Sequence, residues 1–246
     1  MTPNLSDEKH ISKINPEVVT AAVDTISNDM FAQETKPTQN KKNQKSDMNR
    51  GLNCAGACNV PLTLEPLYGY GCWCNLGDAL LAGYSTPLDE YDSVCQSLQY
   101  CLRCVVIDNE QNNETCNPST HVYNTEFSWD FDTLSLVADC QSQNQNDDCG
   151  IGMCMCEMEW LNQILSLAFA GAGLTPDLSH VESFDREDKC PAQVGHGEKS
   201  YQCCGDFPNR KPYNERHFEC CDNSGEIFLP GQHECCDSGV KDIGSC

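Results

Sequence analysis

Cysteine is the residue type in this chain with the most chemistry available to it. The sequence holds twenty cysteines, all between Cys54 and Cys246. Zinc-binding thiolates usually come as two spaced knuckles, whereas the spacings here are CC, CxC and a single CxxC with no fixed period. An even count at this density instead reads as a disulfide framework made in an oxidising compartment. Three adjacent pairs stand near the end of the chain, at Cys203, Cys220 and Cys235 and the residue following each. Neighbouring cysteines bond each other only with strain, so each pair is expected to reach two different partners.

Histidine is the other residue type suited to acid–base work, but its placement offers little. His121 opens a polar, aromatic-rich stretch, and His217 and His233 sit among turn residues, where surface loops are expected. Asn113-Glu114-Thr115 is an acceptor sequence for N-glycosylation between Cys104 and Cys116, and Asn4-Leu5-Ser6 is another near the start. Export would expose both.

The elements that must position these residues fall into three spans. Residues 1–51 read as an arm. Val18, Ala22, Ile26 and Met30 recur at helical spacing in it, and a polar linker follows over 34–50. Over 52–190, Leu88, Tyr91, Cys95, Leu98, Leu102 and Val105 form one apolar helical face, with Thr86 expected as its cap and Pro87 as its first residue. A second face runs through Met153, Cys156, Trp160, Leu161, Ile164, Leu165 and Ala168, until "GAGLTP" ends it. Between the two, "STHVYNTEFSWDFD" alternates Val122, Phe127, Trp129 and Phe131 with polar residues, as a small exposed hairpin would. Residues 191–246 form a loop- and strand-rich cysteine module, too short to bury much core. The expected fold class is mainly α and disulfide-rich.

The loop Tyr70-Gly71-Cys72-Trp73-Cys74-Asn75-Leu76-Gly77-Asp78 and the helix from Asp92 through Cys95, Leu98, Gln99 and Cys101 to Leu102 resemble secreted phospholipase A2. That family carries YGCxCGxGG and DxCCxxHDxCY, and its third signature, CxCD, stands here as Cys154-Met155-Cys156-Glu157. The resemblance implies a helical domain with a small β-wing and the bonds Cys74–Cys95, Cys101–Cys156, Cys140–Cys154 and Cys116–Cys149. Cys72–Cys190 is a further expected tie. One family disulfide is missing at both of its ends, which correspond to Val94 and Gln163. The tail's CC pattern resembles the dicysteine modules of galaxin-type matrix proteins.

The resemblance also implies what chemistry is lost. The family activates a water with a histidine and polarises the ester with calcium. Leu98 stands at the histidine position and Gln99 at the calcium-ligating aspartate. Leu102 replaces a supporting tyrosine, and Glu157 replaces the second acid. The calcium loop is altered as well: Trp73, Asn75, Gly77 and Gln99 mark its positions, and of the three family glycines after Cys74 only Gly77 is kept, Asn75 and Asp78 replacing the others. Calcium prefers six to eight oxygens with carboxylate among them, so no catalytic centre, tight metal site or cofactor is expected.

The net charge is −22. Residues 1–50 contain seven acids and seven bases, so the remainder carries thirty acids against eight bases. Such a surface repels nucleic acid and anionic lipid headgroups, while attracting calcium weakly and diffusely. No apolar run reaches the ~18 residues of a membrane span. The first residues lack the apolar core of an export signal, as expected if the signal has been removed or the chain is part of something longer. The expected function is a secreted, non-catalytic structural or interaction component of an extracellular matrix or cell-surface appendage, with extracellular protein partners or copies of itself. Two alternatives stand beside it: a binder of a lipid or hydrophobic ligand in the former acyl channel, and a calcium-dependent phospholipase.

Overall fold

The computed structural model describes residues 65–74, 81–130, 133–179, 184–191 and 200–246. The arm over 1–51, Asn4, Cys54, Cys58, Asn75, Gly77 and Asp78 lie outside the described residues.

Two long helices carry the core: α1 (Glu90–Gln111) and α3 (Asp148–Phe169). The short α2 (Cys140–Gln143) leads into α3, and α4 (Arg186–Lys189) follows it. Leu98, Leu102 and Val105 of α1 are buried together with Met153, Trp160, Leu161 and Ile164 of α3. Gly152 allows the close approach, since a Cβ there would lie 2.8 Å from a Val105 methyl. Helix α1 begins three residues later than Thr86 as cap would give. The cap is Asp89, whose carboxylate accepts from Asp92 N at 2.9 Å. The Asp92 side chain in turn accepts from Leu88 N at 3.0 Å. That bond draws the preceding residues out of helical register, leaving Leu88 exposed.

The wing is shifted in the same way. Its strands are β1 (Phe127–Asp130) and β2 (Ser135–Ala138), antiparallel with Phe127 opposite Ala138. Residues 121–126 do not join it, because side-chain amides hold them instead. Asn144 accepts from Asn124 N at 2.7 Å and donates to Asn124 O at 2.8 Å, and Gln143 does the same for Glu126 at 2.6 and 2.7 Å. Asn162 docks the wing on α3 by pairing with both backbone groups of Leu136, at 2.7 and 3.0 Å.

Residues 200–246 contain three consecutive antiparallel hairpins. These are β3 (Tyr201–Cys204) with β4 (Lys211–Asn214), β5 (Glu219–Cys221) with β6 (Glu226–Phe228), and β7 (His233–Cys236) with β8 (Gly239–Asp242). The architecture is therefore mixed, helices with one small strand pair in one half and three strand pairs in the other, rather than mainly helical. From Gly225 on, the positive-φ glycines Gly225, Gly231, Gly239 and Gly244 recur too closely for a helix to propagate between them. Among the described residues no helix is long and apolar enough to cross a membrane.

Nine disulfides brace the described residues. Cys72–Cys190, Cys74–Cys95, Cys101–Cys156, Cys116–Cys149 and Cys140–Cys154 lie within the helical half. Cys104–Cys203 joins α1 to the tail, and Cys204–Cys220, Cys221–Cys235 and Cys236–Cys246 run along the tail. Each adjacent pair does reach two different partners.

Candidate functional site: the sealed loop over helix α1

The loop ending at Cys74 is fastened to α1 at two levels. Asp92, fully buried, accepts from Cys72 N at 3.0 Å and Trp73 N at 2.7 Å. Burial pushes its pKa up, against three backbone hydrogen bonds that pull it down. Two turns further along α1, Gln99 is fully buried as well. Its Nε2 donates to the Trp73 carbonyl, and its Oε1 accepts from Gly83 N at 2.8 Å. A neutral amide thus occupies the space between a loop carbonyl and the next backbone segment, with both ends satisfied.

Other groups close the same site. Arg186 Nη2 donates to the Cys72 carbonyl, and Arg103 Nη2 donates to Leu81 O at 2.6 Å and Gly83 O at 3.1 Å. The Arg103 guanidinium also lies 5.9 Å from the centre of the Trp73 ring. Trp73 itself meets Tyr100 edge to face at 5.2 Å and donates to Ser85 O at 3.1 Å. Residues 81–85 are strapped across the loop as a result. A Cβ on Gly83 would come within 2.3 Å of Trp73 and 2.6 Å of Gln99 Oε1, so only glycine fits. Sequence reading missed Arg103, Arg186 and Gly83. Arg103 carried a signal, a cation between two cysteines on an apolar helix, while Gly83 carried none.

Leu98 is 2 % exposed, and Leu102 is fully buried. Leu98 lines a cavity of about 30 Å³ between α1 and α3, together with Val94, Trp160 and Gln163. Pro208, Asn209 and Arg210 of the β3–β4 turn and Lys211 of β4 form its opposite wall. Such a space holds about a water molecule, far less than an acyl chain. Arg210 pairs with Asp108 of α1, and Gln111 Nε2 donates to Gln202 Oε1 at 2.9 Å, so the first tail hairpin is docked on the helix.

Glu157 is buried and accepts from the Tyr123 hydroxyl. Burial raises its pKa to about 7, opposed by the tyrosine hydrogen bond, and burial raises Tyr123 too. His121 is taken up structurally. Its Nε2 lies 2.9 Å from Asp147, the residue that caps α3 by accepting from Gly150 N at 2.9 Å. His217 is exposed, and His233 lies 3.5 Å from Asp242. Asn113 is exposed at φ 61°, immediately beyond α1. Glu234, Cys236 and Cys246 offer atoms within 4.8 Å of one another, but the two sulfurs are bonded together. Glu234 Oε1 already accepts from Gly244, Ser245 and Cys246 N at 2.7, 3.1 and 3.3 Å.

Taken together, the loop and α1 present no proton acceptor at Leu98 and no carboxylate at Gln99. Compared with known proteins, the chain matches no family model and no curated protein.

Proposed function

We propose that this chain is a secreted, non-catalytic phospholipase A2-like protein that serves as a structural or interaction component of an extracellular matrix or cell-surface appendage. The observation that carries this reading is Gln99. Its amide N–H caps the Trp73 carbonyl, the oxygen that the resemblance would turn toward calcium. A donor in that place competes with a cation for the same lone pair. Arg103 and Arg186, hydrogen-bonded to residues 72, 81 and 83, add positive charge nearby. Leu98 has no lone pair with which to activate a water. The disulfide framework, spread through both halves, supports an extracellular setting.

A binder of a lipid or hydrophobic segment is the second reading, favoured by the apolar Val94, Leu98 and Trp160 at the α1–α3 cavity. The cavity's volume of about 30 Å³ and the tail turn across it weigh for the structural reading instead.

The test is hydrolysis of phospholipid vesicles in millimolar calcium. No fatty acid release is expected, nor any restoration by Leu98→His alone, because Gln99 still withholds the carboxylate. Turnover that survives Leu98→Ala would overturn the non-catalytic reading. Co-purification from the native source is expected to return extracellular structural proteins or further copies of this chain. Recovery of a stoichiometric lipid would favour the second reading.

A further inference from the structure

The four disulfides that begin at α1 and run through the tail have an unusual order. Cys203 bonds back to Cys104 on α1, and Cys204 bonds forward to Cys220. Cys220 is joined by one peptide bond to Cys221, which bonds forward to Cys235. Cys235 is joined by one peptide bond to Cys236, which bonds forward to Cys246. In every adjacent pair the leading cysteine bonds toward the N-terminus and the trailing one toward the C-terminus. The bonds are therefore in series, with no crossing or nesting.

A covalent path consequently runs from α1 to Cys246 through disulfides and the cysteine–cysteine links alone. The intervening residues, including the turns at Gly205, Gly225 and Gly239, hang beside this path as closed loops. Those loops span 16, 14 and 10 residues of sequence. Their own packing is thin: among residues 200–246 the buried apolar side chains are Cys204, Cys221, Phe228 and Cys236. Hairpins of three or four residues per strand with so little core resist little force by themselves. In a stack of such units, each holding only its neighbours, the serial bonds supply the continuity. At the α1 end the anchor is a buried cysteine on the core helix, flanked by the Arg210–Asp108 ion pair.

We propose that the paired cysteines form a tension-bearing covalent spine, which transmits pull from Cys246 to the helical core while keeping the hairpin loops out of the load path. The tail would then act as a tether of nearly fixed length. Its loops are free to vary, to be bound or to be cut without parting the chain. This use of the spine rests on the structural reading above, whereas the spine itself rests only on the bond order.

Single-molecule stretching of the full oxidised chain, held at its two ends under constant force, tests the proposal. A thiol reductant cleaves disulfides by attack on one sulfur, so each tail bond releases its own loop when reduced. At about 3.5 Å per residue, less the 5.4, 5.2 and 5.6 Å already spanned between the bonded Cα atoms, loops of 16, 14 and 10 residues lengthen the chain by roughly 51, 44 and 29 Å. Before reductant is added, the tail should contribute none of these steps. Replacing Cys221 and Cys235 together by serine should remove the middle step and lengthen the oxidised chain by the same amount. Should that variant fail to fold, the 16- and 10-residue steps of the wild-type trace decide the matter, because Cys140–Cys154 also closes a loop of 14. Tail extension without reductant, or the absence of the three tail steps once reductant is added, would overturn the spine; the six remaining disulfides among the described residues release steps of their own. A native protein recovered free of any matrix would count against the structural reading and leave the step sizes intact, so the two failures are distinguishable.

Discussion

The helical half and the tail use cysteines in different ways. In the helical half the bonds tie different elements together, the longest being Cys72–Cys190 with a separation of 118 residues and Cys101–Cys156 with 55, although Cys140–Cys154 spans only 14. They brace a core that already exists, with Leu102, Met153, Trp160 and Ile164 packed between two long helices. In the tail the bonds join neighbours, and the sulfurs themselves are most of what is buried. One half is a core that is also crosslinked, and the other is a set of crosslinks with little core. A short segment cannot bury enough apolar area to offset its ordering entropy, so bonds that restrict the unfolded chain take over.

Reduction should break this comparison open most widely. After full reduction and alkylation, amides of β3–β8 are expected to exchange at the rate of an unfolded chain. Slower exchange should persist within 98–105 and 153–165, where side-chain packing remains. Hydrogen exchange read by mass spectrometry decides it. Protection in the tail hairpins of the reduced chain would mean that the tail has a core of its own.

Core truncation gives a smaller contrast. Leu102→Ala should cost about 2–5 kcal/mol in denaturant unfolding, as other buried leucines do. Phe228, 7 % exposed, sits among tail turns rather than between helices. Its truncation should cost less than about 2 kcal/mol, because the shallow surroundings can collapse onto the space. Equal losses would erase the distinction.

Proton linkage should separate the halves by sign, and more gently. Glu157 has its pKa raised from 4.5 to about 7 by burial. Between those values the folded chain holds a proton that the unfolded chain has released. Stability from this group is therefore full below about 4.5 and is lost as pH rises through about 7, at no more than roughly 1.4 kcal/mol per pH unit. Glu157→Gln should flatten that slope in melting temperature against pH. In the tail, Glu226 accepts from Val240 N at 3.0 Å, and that bond lowers its pKa. Its contribution is present above the ordinary carboxylate range and fades as pH falls through the lowered value. Protection at Val240, taken relative to the intrinsic exchange rate at each pH, should therefore fall in acid, while protection of the amides near Glu157 falls toward neutral pH. The same sign at both places would contradict the burial argument.

Much of this architecture is legible in the amino-acid order. Apolar spacing locates both long helices to within a few residues, because a buried helix face must repeat every three or four positions. The adjacent cysteines announce that each will find separate partners, since a bond within the pair is strained. Leu98 and Gln99 can be read at once as residues that neither take a proton nor supply a carboxylate. The late start of α1 and the reduced wing are not legible. They depend on Asp92, Asn144 and Gln143 reaching backbone groups 4 to 20 residues away, and no local propensity encodes such a pairing.

Sequence alone therefore determined the side-chain chemistry: which groups can accept protons, which can crosslink, and which faces must be buried. Tertiary structure decided what those groups do with one another. It turned Gln99 toward the Trp73 carbonyl, brought Arg103 of α1 onto the carbonyls of residues 81 and 83 and Arg186 of α4 onto that of Cys72, and set the tail turn against Leu98. It also ordered the tail sulfurs in series. A hydrogen bond or a disulfide is a relation between two positions in space, and composition and periodicity describe positions one at a time.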